Sequence, residues 1–183
     1  MAAASHDRFR WRRAVPVTHS FSVAVAVFVL MAIEAVIAAR HDRALRALGA
    51  VEPARDVYRA MQFAYPAAFA AMIAEGAWRG AGPDGVAAAG AWLFIAAKAL
   101  KYWAIATLGS RWSFRVLVPP GSQRIRRGPY RWIAHPNYAA VAAELLGVAL
   151  TEHARFTGPI AVAGFGYLML RRIRIEEKAL TGE

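Results

Sequence analysis

From Val17 to Ala39 the chain is almost uninterrupted hydrocarbon, with Glu34 its one formally charged residue. About 20 apolar residues cross the ~30 Å hydrocarbon core of a bilayer. A cleaved leader has a shorter apolar core and a small-residue cleavage site, so this segment reads as a retained span. That constraint governs how the remaining composition is read. The 183 residues are 58% hydrophobic, which excludes a disordered chain, and their number is that of about one domain. The formal net charge is +11. Beside membrane spans, such an excess of base is a topology signal, and no nucleic-acid partner is expected. Cysteine is absent, so there is no disulfide framework, thiolate metal site or cysteine nucleophile.

These features predict an all-α integral membrane protein of one domain, 1–183. Residues 1–16 form a basic leader in which Phe9 and Trp11 stand among Arg8, Arg10, Arg12 and Arg13, a composition suited to a membrane surface. Three spans are expected within 17–108. The first is followed by a polar loop, Arg40 to Arg55. The second runs from about Val57 to Trp78, kinked at Pro66. The third runs from about Val86 to Leu108, after the turn sequence GAGPDG. Residues 109–183 form the catalytic half. In it, the alternation of FRVLV predicts a short strand or hairpin closed by Pro119, Pro120 and Gly121. Two shorter helices, Tyr138 to Leu150 and one ending at Leu170, read as a hairpin, followed by the charged helical tail RRIRIEEKALTGE. The sum is about five transmembrane helices. Many alanines, with Gly76, Gly90, Gly147, Gly164 and Gly166, suit close helix packing in lipid.

Orientation follows from the Lys/Arg balance. An outside N-terminus puts about 14 basic residues on the cytosolic side, in Arg40–Arg55, Arg111–Arg131 and Arg171–Lys178, against about 6 outside. The polar stretch from Arg111 to Asn137 and the C-terminus are then both cytosolic, as a catalytic loop and tail.

The densest candidate for chemistry is GPYRWIAHPNYAAVAAE, Gly128 to Glu144. Pro136 suits the first position of a helix, with His135 as or beside the N-cap. The free amides and positive dipole end there favour an anion. Asn137 and Glu144 are two turns apart on one face. The same residues also fit a His-Pro turn that opens a helix at an interface belt of Tyr130, Trp132 and Tyr138. Glu144 lies inside an apolar run, where a carboxylate costs a few kcal/mol unless paired or facing a cavity. Glu34 has no evident partner. Lys98 and Lys101 are expected to snorkel. Arg172–Glu176 and Arg174–Glu177 have helical pair spacing, as a solvated tail or as a guanidinium and carboxylate site facing His135. There is no GxGxxG after a strand, no Walker loop and no HExxH, so no metal is expected.

GPYRWIAHPNY followed by Glu144 resembles the signature of the isoprenylcysteine carboxyl methyltransferase family and related membrane methyltransferases. Gly128, Pro129, Tyr130, His135, Pro136 and Tyr138 match the first block of that signature. Arg172, Glu176 and Glu177 match its terminal segment, with Arg174 competing for the arginine. LGSRWSFRVLVPPG is similar to bacterial members, and the likeness covers about Lys98 to Leu180. Ala134 stands where the pattern has arginine, with Arg131 the nearest substitute. The resemblance implies an integral membrane enzyme that uses S-adenosylmethionine, in a bacterial inner membrane with its active site facing the cytosol. It implies cofactor contacts at Gly128, Tyr130, His135, Pro136, Asn137, Tyr138, Glu144 and Glu176, and catalytic roles for Arg172, Arg174 and Glu177. The acceptor it implies is a lipophilic carboxylate or hydroxyl compound, prenylcysteine-like or a lipid or polyketide, that enters from the bilayer. Alternatives are an NADPH-dependent reductase of the sterol-reductase type using Arg124, Arg126 and Arg127, a lipid N-methyltransferase, and a non-catalytic scaffold.

Overall fold

A computed structural model describes residues 3–52, 57–117, 119 and 125–181, and the side chains of 17–52, 57–117, 119 and 125–177. Five α-helices run in chain order: α1 (Ala3–Ala47), α2 (Tyr58–Arg79), α3 (Gly85–Leu108), α4 (Pro136–Thr151) and α5 (Thr157–Thr181). Short 3-10 turns occupy Gly109–Arg111 and Gly128–Arg131.

The helix positions agree with the apolar segments, but two boundaries move. The basic leader is not separate from the first span, because α1 begins at Ala3. Nor is Arg40–Arg55 wholly a loop. α1 runs on to Ala47 through RHDRALRA, a run rich in the helix formers Arg, Ala and Leu, and turns at Gly49 with φ +77°. The hairpin expected around FRVLV is corrected as well: no strand forms among the described residues there, and Pro120 and Gly121 lie outside them. The segment 112–117 is held by side-chain contacts to α1 and to Glu52, where a hairpin would use a ladder.

Among the described residues, two helices are long and apolar enough to cross a membrane by length and composition, α1 over Val17–Ala47 and the segment Gly85–Arg111. The other three fall short for visible reasons. α4 has 16 residues, the apolar run of α2 is interrupted by Gln62, Tyr65, Pro66 and Glu75, and the second half of α5 is charged.

α3 and α4 pack most closely. A Cβ placed on Gly90 would lie 2.6 Å from the Gly147 carbonyl oxygen, and one on Gly147 would lie 2.9 Å from the Gly90 oxygen and the Phe94 nitrogen. Backbones this close leave no room for a side chain. The main core joins Val27, Phe69, Met72, Phe94, Leu145 and Phe165 from all five helices. A smaller cluster seats Trp112, only 2% exposed, against Ala38 and Ile105. That buried indole anchors the segment that follows α3 and places it over one end of the bundle.

Candidate active site

Several polar contacts gather the α1–α2 connection, the segment after α3, the start of α4 and the tail of α5 at one end of the bundle. His41 Nδ1 lies 2.8 Å from the Trp112 carbonyl oxygen, and Ser113 donates to Asp42 at 2.5 Å. Arg115 donates to both oxygens of Glu52, at 2.9 and 3.0 Å. Burial works against the charges of this pair. The paired hydrogen bonds outweigh it, holding the Arg115 guanidinium above its usual range and the Glu52 carboxyl below 4.5.

Between these segments lies a polar pocket of about 180 Å³ whose lining includes Arg111, Trp112, Tyr130, His135, Asn137, Tyr138, Arg172 and Glu176. His135 is the N-cap of α4 and makes no side-chain capping bond. The first amide to bond back is that of Ala139, to the His135 oxygen. Pro136 has no N–H, so the Asn137 and Tyr138 amides are left without an intrahelical acceptor.

The tail of α5 closes over this helix start. Tyr138 donates to Glu176 at 3.0 Å. His135 Nε2 lies 3.3 Å from Glu177, and its ring centroid lies 5.6 Å from that of Tyr138. Burial, with the charge of Glu176 beside it, pushes the Tyr130 hydroxyl above its ordinary value of 10.0. Arg172 is 5% exposed. It donates to the Phe114 carbonyl oxygen and lies over the Tyr58 ring, 5.8 Å from its centroid.

A second, more apolar cavity of about 230 Å³ adjoins the first, among all five helices, with Glu34 of α1 and Lys101 of α3 at its border. Met31, Met61, Tyr65, Val141 and Phe165 contribute to its wall. Ser113, Asn137, Tyr138 and Arg172 line both spaces. They form the junction where a polar ligand and an apolar one would meet.

Of the residues singled out from sequence, Tyr130, His135, Pro136, Asn137, Tyr138, Arg172 and Glu176 line the polar pocket, and Glu177 sits at its rim against His135. Gly128 supports the site without lining it. It opens the 3-10 turn at φ +56°, and a Cβ there would collide with Thr107. Arg174 is exposed and lines neither space. Arg131 lies over Trp132, away from the pocket that Ala134 lines. Arg126 and Arg127 are exposed and outside the pocket lining, and Arg124 lies outside the described residues.

Glu144 does not line the polar pocket. It is buried in a four-ion cluster with Glu34, Lys98 and Lys101. Lys98 Nζ lies 2.6 Å from Glu34 and 3.1 Å from Glu144, Lys101 Nζ lies 3.0 and 2.9 Å from the same two carboxylates, and the Tyr65 hydroxyl donates to Glu144. The two lysines therefore do not snorkel, being 6% and 1% exposed, and Glu34 has two partners. The available signal was numerical: two carboxylates and two ammonium groups lie inside apolar segments, where opposite charges must find one another. Ser113, Tyr58 and Tyr65 carried no such signal.

The model for the isoprenylcysteine carboxyl methyltransferase family matches residues 90–182. The chain is 30% identical to Bacillus subtilis "Uncharacterized protein YpbQ" over 87% of its own length and 96% of that protein. It is 26% identical to a Haemophilus influenzae "Uncharacterized protein" over 79% and 85%. No solved structure matches it. The family segment begins near the start of α3 and takes in the α4 start, the hairpin and the α5 tail, the parts that build the polar pocket. This chain belongs to the isoprenylcysteine carboxyl methyltransferase family, a family of membrane methyltransferases.

Proposed function

We propose that the protein transfers a methyl group from S-adenosylmethionine to a carboxylate or hydroxyl of a lipophilic acceptor at the membrane–cytosol interface of a bacterial inner membrane. The observation that carries this reading is the junction: a polar pocket and an apolar cavity meet at Ser113, Asn137, Tyr138 and Arg172.

The polar pocket fits the cofactor's groups. The Asn137 and Tyr138 amides at the α4 start, which have no intrahelical acceptor, suit its carboxylate together with the helix dipole. Glu176 suits its ammonium, and Tyr130, half-buried in the pocket wall, offers a ring to a purine. When bound, S-adenosylmethionine supplies an electrophilic methyl on a sulfonium. The residues of this chain then bind and align, because such a transfer depends on positioning more than on strong acid–base help. Arg172, at the junction, is placed to hold an acidic acceptor by charge-assisted hydrogen bonds. A carboxylate needs no base. For a hydroxyl acceptor, Glu177 receives the proton at the exposed rim.

The reductase alternative is less well supported, since Arg126 and Arg127 stand outside the pocket. The cytosolic placement rests on the Lys/Arg balance, and of the described side chains that carry it Arg111, Arg115 and Arg172 line the pocket. Titration of purified protein with S-adenosylhomocysteine and with NADPH tests the assignment. Saturable binding of the first, weakened by His135→Ala, is expected. Binding of NADPH alone overturns it.

A further inference from the structure

The apolar cavity has two unlike ends. Tyr58 and Tyr65 on α2, Asn137 and Glu144 on α4, and Phe165 and Arg172 on α5 are each seven residues apart. Each pair therefore spans two turns, about 10 Å along its helix. Asn137 and Arg172 stand at the junction, where Arg172 meets Tyr58. Tyr65 and Phe165 stand at the inner end, their ring centroids 5.1 Å apart. Phe69 backs Tyr65 edge-on at 4.8 Å.

The Tyr65 hydroxyl donates to Glu144 and lies 3.3 Å from Lys101 Nζ. Glu34 and Glu144 are 0% exposed and Lys101 1%. Glu34 and Lys101 also border the cavity, but at 0% and 1% exposure they offer it almost no surface, and most of what it meets at this end is the ring. An aromatic wall alone needs no ions behind it. Taking charges out of water costs several kcal/mol per ion, and ionisable groups inside a membrane bundle ordinarily serve function. Tethering this ring gives the cluster such a role. Glu34 and Tyr65 lie outside the family-matched residues 90–182, so the wall draws on the part of the chain the family model does not describe.

The geometry points to Tyr65 as the residue that decides which acceptors fit: its ring, tethered to Glu144 and Lys101, is a fixed stop for an apolar chain about 10 Å long reaching inward from the reactive group at Arg172. Glu144 and Lys101 are then positioning residues that act through Tyr65. The identity of the reactive end rests on the methyl-transfer reading above. The stop itself rests on the cavity.

The test uses the full chain in lipid nanodiscs. Straight-chain carboxylic acids from hexanoic to hexadecanoic compete with a fluorescent fatty acid for the cavity. In the unaltered protein, affinity should rise with each methylene and break at the length that reaches Tyr65. Tyr65→Ala should move the break to longer acids, with each additional buried methylene gaining about fourfold. Tyr65→Phe keeps the ring and loses the tether. Longer acids should then gain while shorter ones are unchanged, an effect a general loss of structure does not produce, and this variant serves if the alanine one fails to fold. A break at the same length in the variants, or no break in the unaltered protein, overturns the proposal. S-adenosylhomocysteine titrated in parallel should bind all three alike. Its failure to bind the unaltered protein overturns the methyl-transfer reading and leaves the stop to be decided by the acids.

Discussion

Lys101 Nζ stands between two carboxylates on different helices, 3.0 Å from Glu34 on α1 and 2.9 Å from Glu144 on α4. With Lys98 the cluster is formally neutral, two ammonium groups against two carboxylates. Its stability depends on that balance more than on any one contact. Removing one member leaves a buried charge uncompensated, whereas removing a pair does not.

Lys101→Met is therefore expected to destabilise the protein by about 3–5 kcal/mol. Adding Glu34→Gln should cost less than the sum of the two single changes, because both belong to one network. Unfolding in mild detergent, measured on both single variants and the double variant, checks this. Strict additivity would contradict the network.

The contact between Gly90 and Gly147 makes a second prediction. Gly147→Ala places a methyl 2.9 Å from the Gly90 oxygen and the Phe94 nitrogen, both backbone atoms that cannot turn aside. Overpacking of this kind costs about 1–3 kcal/mol. Gly164→Ala is the control, since nothing lies within 4 Å of a Cβ there. Melting temperature should fall for the first variant and hold for the second.

What the sequence made legible follows from the range over which each signal acts. Helix existence is local, and the positions of α2 and α3 are accurate to a residue or two. The start of α4 was legible because Pro136 marks it directly. The end of α1 was not, because RHDRALRA is polar yet strongly helix-forming, and polarity alone suggested a loop. The alternation of FRVLV was misleading: a segment pinned by Trp112 and Arg115 can alternate without pairing as a strand. Among site residues, those within one short motif were found together. Tyr58 and Tyr65 were missed because only the tertiary packing of α2 brings them to the cavity. Arg172 and Arg174 were indistinguishable as letters. The helical phase that buries one and exposes the other depends on where α5 meets α2.

Glu152, at the end of α4 remote from the pocket, predicts a pH effect. Its side chain is 0% exposed. Ser20 donates to Oε2 at 2.6 Å, while Oε1 has no hydrogen-bond partner among the described residues. Burial pushes its carboxyl above 4.5, against the opposing Ser20 hydrogen bond and the charges of His19 and His153. The folded state then binds the proton more tightly than the unfolded state. Its stability contribution is complete below the unfolded value near 4.5 and is lost as pH rises through the folded value. Glu152→Gln removes this dependence. The melting temperature of the variant relative to the unaltered protein should rise as pH climbs from below 4.5 toward neutral. A constant difference across that range would mean that Glu152 does not titrate as described.

The sharpest test of the site lies in the α5 tail, where two arginines two positions apart differ in surroundings. Arg172 is 5% exposed, lines both the polar pocket and the apolar cavity, and is held by the Phe114 carbonyl oxygen and the Tyr58 ring. Arg174 is exposed and lines neither. An exposed arginine is usually worth within about 0.5 kcal/mol to the fold, so Arg174→Ala should leave melting temperature and methyl transfer nearly unchanged. Arg172→Ala removes the cation at the junction, and methyl transfer should fall by about two orders of magnitude if the guanidinium aligns the acceptor, since misplacement of about 1 Å can cost 100-fold. Arg172→Lys keeps the charge but loses the planar fork and much of the stacking on Tyr58, so it should rescue little. Cofactor affinity separates the two ways in which activity can be lost. If S-adenosylhomocysteine still binds Arg172→Ala with near-normal affinity, the guanidinium serves the acceptor. If binding falls in parallel with turnover, it belongs to the cofactor pocket, and the acceptor is held by other residues of the junction. Equal activity of the Arg172 and Arg174 variants would remove Arg172 from the site altogether.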